Sequence, residues 1–181
     1  MFRRMRNAAF QPNPLAPAQI QALSRANQLL AGGKPLQAAA QFTQLADQLL
    51  ASNHPRRAAN LHAQAAHAFA DGQDGPNALA QARLALNLFL QYQMVRRTPV
   101  FFANITRKLT DKGMKNAAET LEKEYGGRVG PVPAPTAAPA GHGRLPTNCA
   151  KCGAPVHADD ADWVDDVTVE CVYCGSLIRA E

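Results

Sequence analysis

Apolar residues recur at every third or fourth position from residue 18 to about residue 126, a spacing that predicts six amphipathic helices folded as three hairpins. In the first helix Ile20, Leu23, Asn27 and Leu30 share a face, and Gly32-Gly33 ends it. The second runs from about Lys34 with Ala38, Ala39, Phe42, Leu45 or Ala46, and Leu49 turned inward. Asn53 stands where an N-cap is wanted for a third helix opening at Pro55. That helix offers Ala58, Leu61, Ala65 and Phe69 and ends near Asp71-Gly72. Gly75-Pro76 opens the fourth (Leu79, Ala82, Leu86, Phe89) and Thr98-Pro99 the fifth (Phe101, Ile105, Leu109). Beyond Gly113 the sixth carries Ala117, Leu121 and Tyr125. The expected core is Phe42, Leu45, Leu61, Leu86, Phe89, Ile105 and Leu121, with the many alanines letting helices approach closely.

The hairpins resemble one another. Gly33, Gly72 and Gly113 punctuate them at intervals of 39 and 41 residues, and Arg56-Arg57 and Arg96-Arg97 lie 40 apart, each beside a proline. A period of this size marks stacked repeats. Gly33 with Ala38 and Phe42, Ala26 seven before the glycine, and Gly113 with Ala118 resemble the turn and packing positions of tetratricopeptide-like repeats. Glu122 departs from that pattern at its aromatic position, and the units exceed the usual length of about 34 residues. The resemblance implies stacked hairpins with a groove lined by the first helix of each pair. A plain helical bundle is the alternative.

The pattern breaks on either side of the helices. Residues 127–146 hold Pro131, Pro133, Pro135, Pro139 and Pro146 among alanines and glycines, the composition of an extended, semi-rigid linker. Residues 1–17 carry three arginines, no acid and Pro12, Pro14 and Pro17, and read as a disordered basic tail. The expected order is therefore tail 1–17, helical repeats 18–126, linker 127–146 and a small β domain 147–181. The fold is mainly α with a minor β appendage.

The chemistry lies in that appendage. Cys149-Ala-Lys-Cys152 and Cys171-Val-Tyr-Cys174 contain all four cysteines of the chain, with eighteen residues between the inner pair and a glycine after each motif. Four thiolates at tetrahedral corners saturate Zn²⁺ and leave no open position for water or substrate. A disulfide framework suits a secreted chain, yet the basic N-terminus lacks the apolar segment of a secretory signal. A redox CxxC needs one motif in a βαβ setting, and here there are two without it. Iron in a rubredoxin-like site uses the same ligands, and zinc is preferred. With both motifs in view, residues 146–181 resemble a zinc ribbon, whose ligands would be Cys149, Cys152, Cys171 and Cys174. Trp163-Val164 and Val167–Glu170 favour short strands, and Asp159-Asp160 and Asp165-Asp166 suit turns. Trp163 is expected in the ribbon's small core or over the metal, and His157 as an ordinary strand or turn residue.

Charge sharpens the division. The net +5 divides into +3 on residues 1–17, +6 on residues 18–130, +1 at Arg144 and −5 on residues 147–181. The acidic ribbon is therefore expected to associate weakly with the basic face around the third hairpin, at Arg96, Arg97, Arg107, Lys108, Lys112 and Lys115. The same six residues are the expected partner contacts. No run is long enough to span a bilayer, and a cytoplasmic location follows. His54, His62, His67 and His142 form no catalytic group and are expected solvated or half-buried, and Gly32-Gly33-Lys34-Pro35 is not a phosphate-binding loop. The chain is thus expected to be no enzyme but an adaptor for a protein or peptide partner, with one structural zinc. Nucleic-acid association is the alternative, weakened by the acidic ribbon. Rubredoxin-like electron transfer is a third reading and requires iron.

Overall fold

The computed structural model describes residues 14–133, 143–157 and 161–181. Most of the expected basic tail, the centre of the proline linker and the Asp159-Asp160 turn lie outside these residues. Six helices follow in order: α1 (Pro17–Ala31), α2 (Pro35–Ala51), α3 (Pro55–Asp71), α4 (Gly75–Gln91), α5 (Arg97–Asp111) and α6 (Lys115–Tyr125). A proline in the first turn starts each of the first four, where its missing N–H costs nothing. Consecutive helices pack on one another throughout, and all seven expected core residues are buried.

The turns between helices repeat more strictly than the glycines do. Gly33, Asn53, Gln73, Gln93 and Gly113 all have positive φ, and they stand 20 residues apart. In each turn the next residue (Lys34, His54, Asp74, Met94 and Met114) donates its N–H to the carbonyl of Leu29, Leu49, Phe69, Phe89 or Leu109, at 2.8–2.9 Å. This is the Schellman closure of a helix C-terminus, five times over. Two expectations are corrected by it. Asn53 does not cap α3; it ends α2 in the left-handed conformation, and His54 is the N-cap residue. Gly72 is not the counterpart of Gly33 and Gly113, a role that falls to Gln73. It is instead a point of close approach, since a Cβ there would lie 2.4 Å from the Leu36 side chain of α2.

Helix α3 is the centre of the stack. Ala58, Leu61, Ala65 and Ala68 face a core shared with α1 and α2, while Ala59, Ala63, Ala66 and Ala70 face a second core with α4, α5 and α6. A helix packed on both sides needs small residues on both, which explains its alanine content. His62, also on α3, was expected solvated or half-buried but is fully buried, with Nδ1 2.7 Å from Gln81 Oε1 of α4.

The C-terminal module is a three-stranded antiparallel sheet in the order β1 (Asp162–Trp163), β2 (Thr168–Glu170), β3 (Leu177–Arg179). Trp163 pairs with Val169, and Val169 with Ile178. The third strand was not anticipated. Asp165 Oδ1 accepts the Val167 N–H at 2.9 Å and closes the expected turn between β1 and β2. Arg144 and Glu181 exchange backbone hydrogen bonds, which ties the end of the linker to the end of the chain.

Candidate metal centre and its seat on the helices

The two CxxC motifs adopt the same loop. Cys149 donates its N–H to the Ala154 carbonyl and accepts from Gly153; Cys171 donates to Ser176 and accepts from Gly175, all at 2.8–2.9 Å. Gly153 and Gly175 have φ of 74° and 75°, a conformation that glycine adopts without penalty. Two equivalent loops thus present four sulfurs to one point.

The sulfurs fit a tetrahedral ion. Thiolates bound at about 2.3 Å in a tetrahedron stand about 3.8 Å from one another. Cys149 and Cys174 Sγ are 3.8 Å apart, as are Cys152 and Cys171 Sγ, and all four lie within 4.8 Å of each other. A disulfide would require about 2.05 Å. Four thiols this close cannot all ionise without a counter-charge. Hydrogen bonds from Cys152, Cys171 and Cys174 hold the Cys149 thiol low, while contact with Cys149, Cys171 and Cys174 pushes Cys152 up. A bound cation would remove that conflict by compensating every thiolate. Among the described residues, no other cluster of histidine, cysteine or carboxylate groups could hold a metal.

The site does not stand by itself. All four cysteines are at most 3% exposed, because the helices cover them. Cys149, Cys152, Cys171 and Cys174, with Ala154, Val169 and Ile178, belong to one continuous core with Leu23, Leu61 and Ala65. Trp163 and Tyr173 pack against its edge. Polar groups of the helices also bond to the cysteine loops. Asn27 Nδ2 donates to the Cys152 carbonyl at 2.8 Å, and the Leu15 N–H to the Cys174 carbonyl at 2.8 Å. Asn60 Nδ2 donates to the Val172 carbonyl at 3.0 Å, and Gln64 Nε2 to the Tyr173 hydroxyl at 2.8 Å. The partly buried ion pair Arg57–Glu170, at 2.7 Å, completes the seat. Leu15, assigned from sequence to the tail, is thereby buried ahead of α1.

This seat differs from the expected electrostatic one. The module rests on α1 and α3 through apolar contact, not on the basic face of the third hairpin. The six basic residues named for that face are not gathered at one place. Arg97 donates to Asn60 Oδ1 at 2.7 Å and, with the exposed Arg96, lines a cleft beside the module. Lys108 and Lys112 pair with Asp71 of α3 at 2.8 and 3.9 Å. Arg107 bonds Asn104 of its own helix, and Lys115 is exposed at the start of α6. His157 is exposed.

Sequence reasoning missed Asn27, Arg57, Asn60 and Gln64 as docking groups. A signal existed for Asn27, an amide on an otherwise apolar helix face, where a buried polar group requires a partner. No protein family, curated protein or solved structure matches this chain.

Proposed function

We propose that the chain is a non-catalytic adaptor, a tetratricopeptide-like stack of three hairpins whose groove is closed on one side by a zinc ribbon. The observation that carries this reading is the burial of four converging sulfurs against α1 and α3. A Cys₄ site is coordinatively complete, so its contribution is shape: a module of about 35 residues cannot fold on its own apolar surface and takes its free energy from the metal. Zinc is assigned over iron because the role is structural and needs no redox change. The ribbon acts as a fold-back element over the first two hairpins. The third hairpin, with Arg96, Arg97, Arg107, Lys108, Lys112 and Lys115, is left to meet a protein or peptide partner. The cytoplasm, where thiols stay reduced, is the proposed location.

Elemental analysis of the purified chain should find about one zinc per molecule. Cys152→Ser or Cys171→Ser should lose the metal and release the module while the helical circular-dichroism signal persists. A metal-free native chain with four freely reactive thiols would overturn the metal site, and a red, iron-containing chain would favour electron transfer. For the adaptor role, a partner captured by the intact chain should be lost on Lys112→Glu with Lys115→Glu. Turnover of a substrate would contradict it.

A further inference from the structure

The two cysteine loops are held on the helices unequally. The second is tied at four points: by the Leu15 N–H to the Cys174 carbonyl, and from α3 by Arg57 to Glu170, Asn60 to the Val172 carbonyl and Gln64 to the Tyr173 hydroxyl, all at 2.7–3.0 Å. Residues 57, 60 and 64 follow at helical spacing and so present one face of α3 to that loop. For the first loop, among the described residues, the helices supply a single hydrogen-bonding side chain, Asn27 of α1, whose Nδ2 donates to the Cys152 carbonyl at 2.8 Å. Nδ2 also donates to the Leu23 carbonyl at 3.1 Å, and two carbonyl acceptors fix which end of the amide faces the loop. Contact there is close, since a Cβ on Gly153 would lie 3.5 Å from the Asn27 Cβ. Cys152 is fully buried, and its carbonyl accepts no backbone N–H among the described residues. Without Asn27 it would be an unpaired acceptor.

We infer, on the basis of the zinc site proposed above, that Asn27 is its latch: it holds the Cys149–Cys152 loop on α1, and an ion enters and leaves by the opening of that loop while the Cys171–Cys174 loop keeps its place on α3. The two thiolates of a loop move together because a two-residue spacer joins them, so exchange requires one loop to lift away. A loop tied to the helices at one point lifts at lower cost than one tied at four, because each hydrogen bond lost from a buried acceptor adds to the barrier. The Arg144–Glu181 backbone pair anchors the first segment ahead of its loop and serves as the pivot. Asn27 is a positioning residue: it acts on Cys152 through the carbonyl, as outer groups of metal sites act through their ligands.

The test follows zinc release from the loaded full chain to a coloured chelator, with cysteine modification tracked by mass spectrometry. Asn27→Ala should release zinc about tenfold faster, and Asn27→Asp, equal in shape but without the donor, should do the same. Alanine favours a helix, so α1 survives the first change. Gln64→Ala removes one of four ties to the other loop and should leave the rate within about twofold. During release a thiol reagent should modify Cys149 and Cys152 before Cys171 and Cys174. A general loosening of the seat would instead speed release equally in the Asn27 and Gln64 variants, and that result would overturn the latch. So would an Asn27→Ala rate equal to that of the unaltered chain, or modification of all four cysteines together or of Cys171 and Cys174 first. Those outcomes leave the zinc assignment standing, whereas a chain with no zinc to release overturns both.

Discussion

Replacing Asn60 by alanine removes a side chain that joins three parts of the molecule. From the middle of α3 its amide donates to the Val172 carbonyl at 3.0 Å, and its oxygen accepts from Arg97 Nη1 of α5 at 2.7 Å. The residue is 6% exposed. A neutral hydrogen bond contributes about 1 kcal/mol and one to a charged group about 1.5–3 kcal/mol. Both abandoned partners border the arginine cleft, where water can reach them, so the low end applies to each. Asn60→Ala should therefore cost about 2–3 kcal/mol in urea unfolding of the metal-loaded chain, with the slope unchanged. A double-mutant cycle with Arg97→Gln isolates the charged half, and its coupling energy should be about 1 kcal/mol or more. A total cost below about 0.5 kcal/mol, or a coupling energy near zero, would refute the bridging role.

Three further outcomes are expected. Gln73→Gly and Gln93→Gly, at φ of 60° and 52°, should each stabilise the chain by about 0.5–1 kcal/mol, whereas Gly113→Ala should destabilise it by about 1 kcal/mol. Open space surrounds Gly113, so a thermal-melt result of opposite sign would contradict the turn assignment and not merely indicate crowding. The partly buried His67 ring, edge-on to Phe101, is held at about 4 by desolvation and then by Lys108, below its ordinary 6.5. The unfolded chain then binds the extra proton first, so stability present above pH 6.5 is lost as the pH falls toward 4, by at most about 3 kcal/mol. His67→Gln should flatten that part of the pH profile, and an unaltered slope would count against the assignment. Chelation of the metal should expose all four cysteines to a thiol reagent while α4 to α6 keep their amide-exchange protection, because their core is separate from the cysteine core.

The helices were legible because their apolar residues recur at a period of 3.6, on two faces in α3, and the four-cysteine cluster because two spaced CxxC pairs have few other uses. The turn register was not. Gln73 and Gln93 occupy left-handed positions that sequence rules reserve for glycine and asparagine, so Gly72 drew attention one residue too early. The aligned series Leu29, Leu49, Phe69, Phe89 and Leu109 carried the true 20-residue period. The docking mode was hidden for a different reason. Net charge is visible in sequence, whereas the merging of Val169 and Ile178 into one core with residues of α1, α2 and α3 is a tertiary property. Charge alone therefore directed the module to Lys108 and Lys112, which Asp71 of α3 already engages.

The central claim is that the four-cysteine module is a seated part of the helical stack. Backbone ¹⁵N relaxation of the metal-loaded full chain tests it most directly, at low salt and again at about 0.5 M, where exposed ion pairs are screened. One rotational correlation time shared by residues 14–125 and 143–181, unchanged by salt, is the predicted result. A module that tumbles faster than the helices, or does so once salt is added, would contradict the apolar seat on α1 and α3.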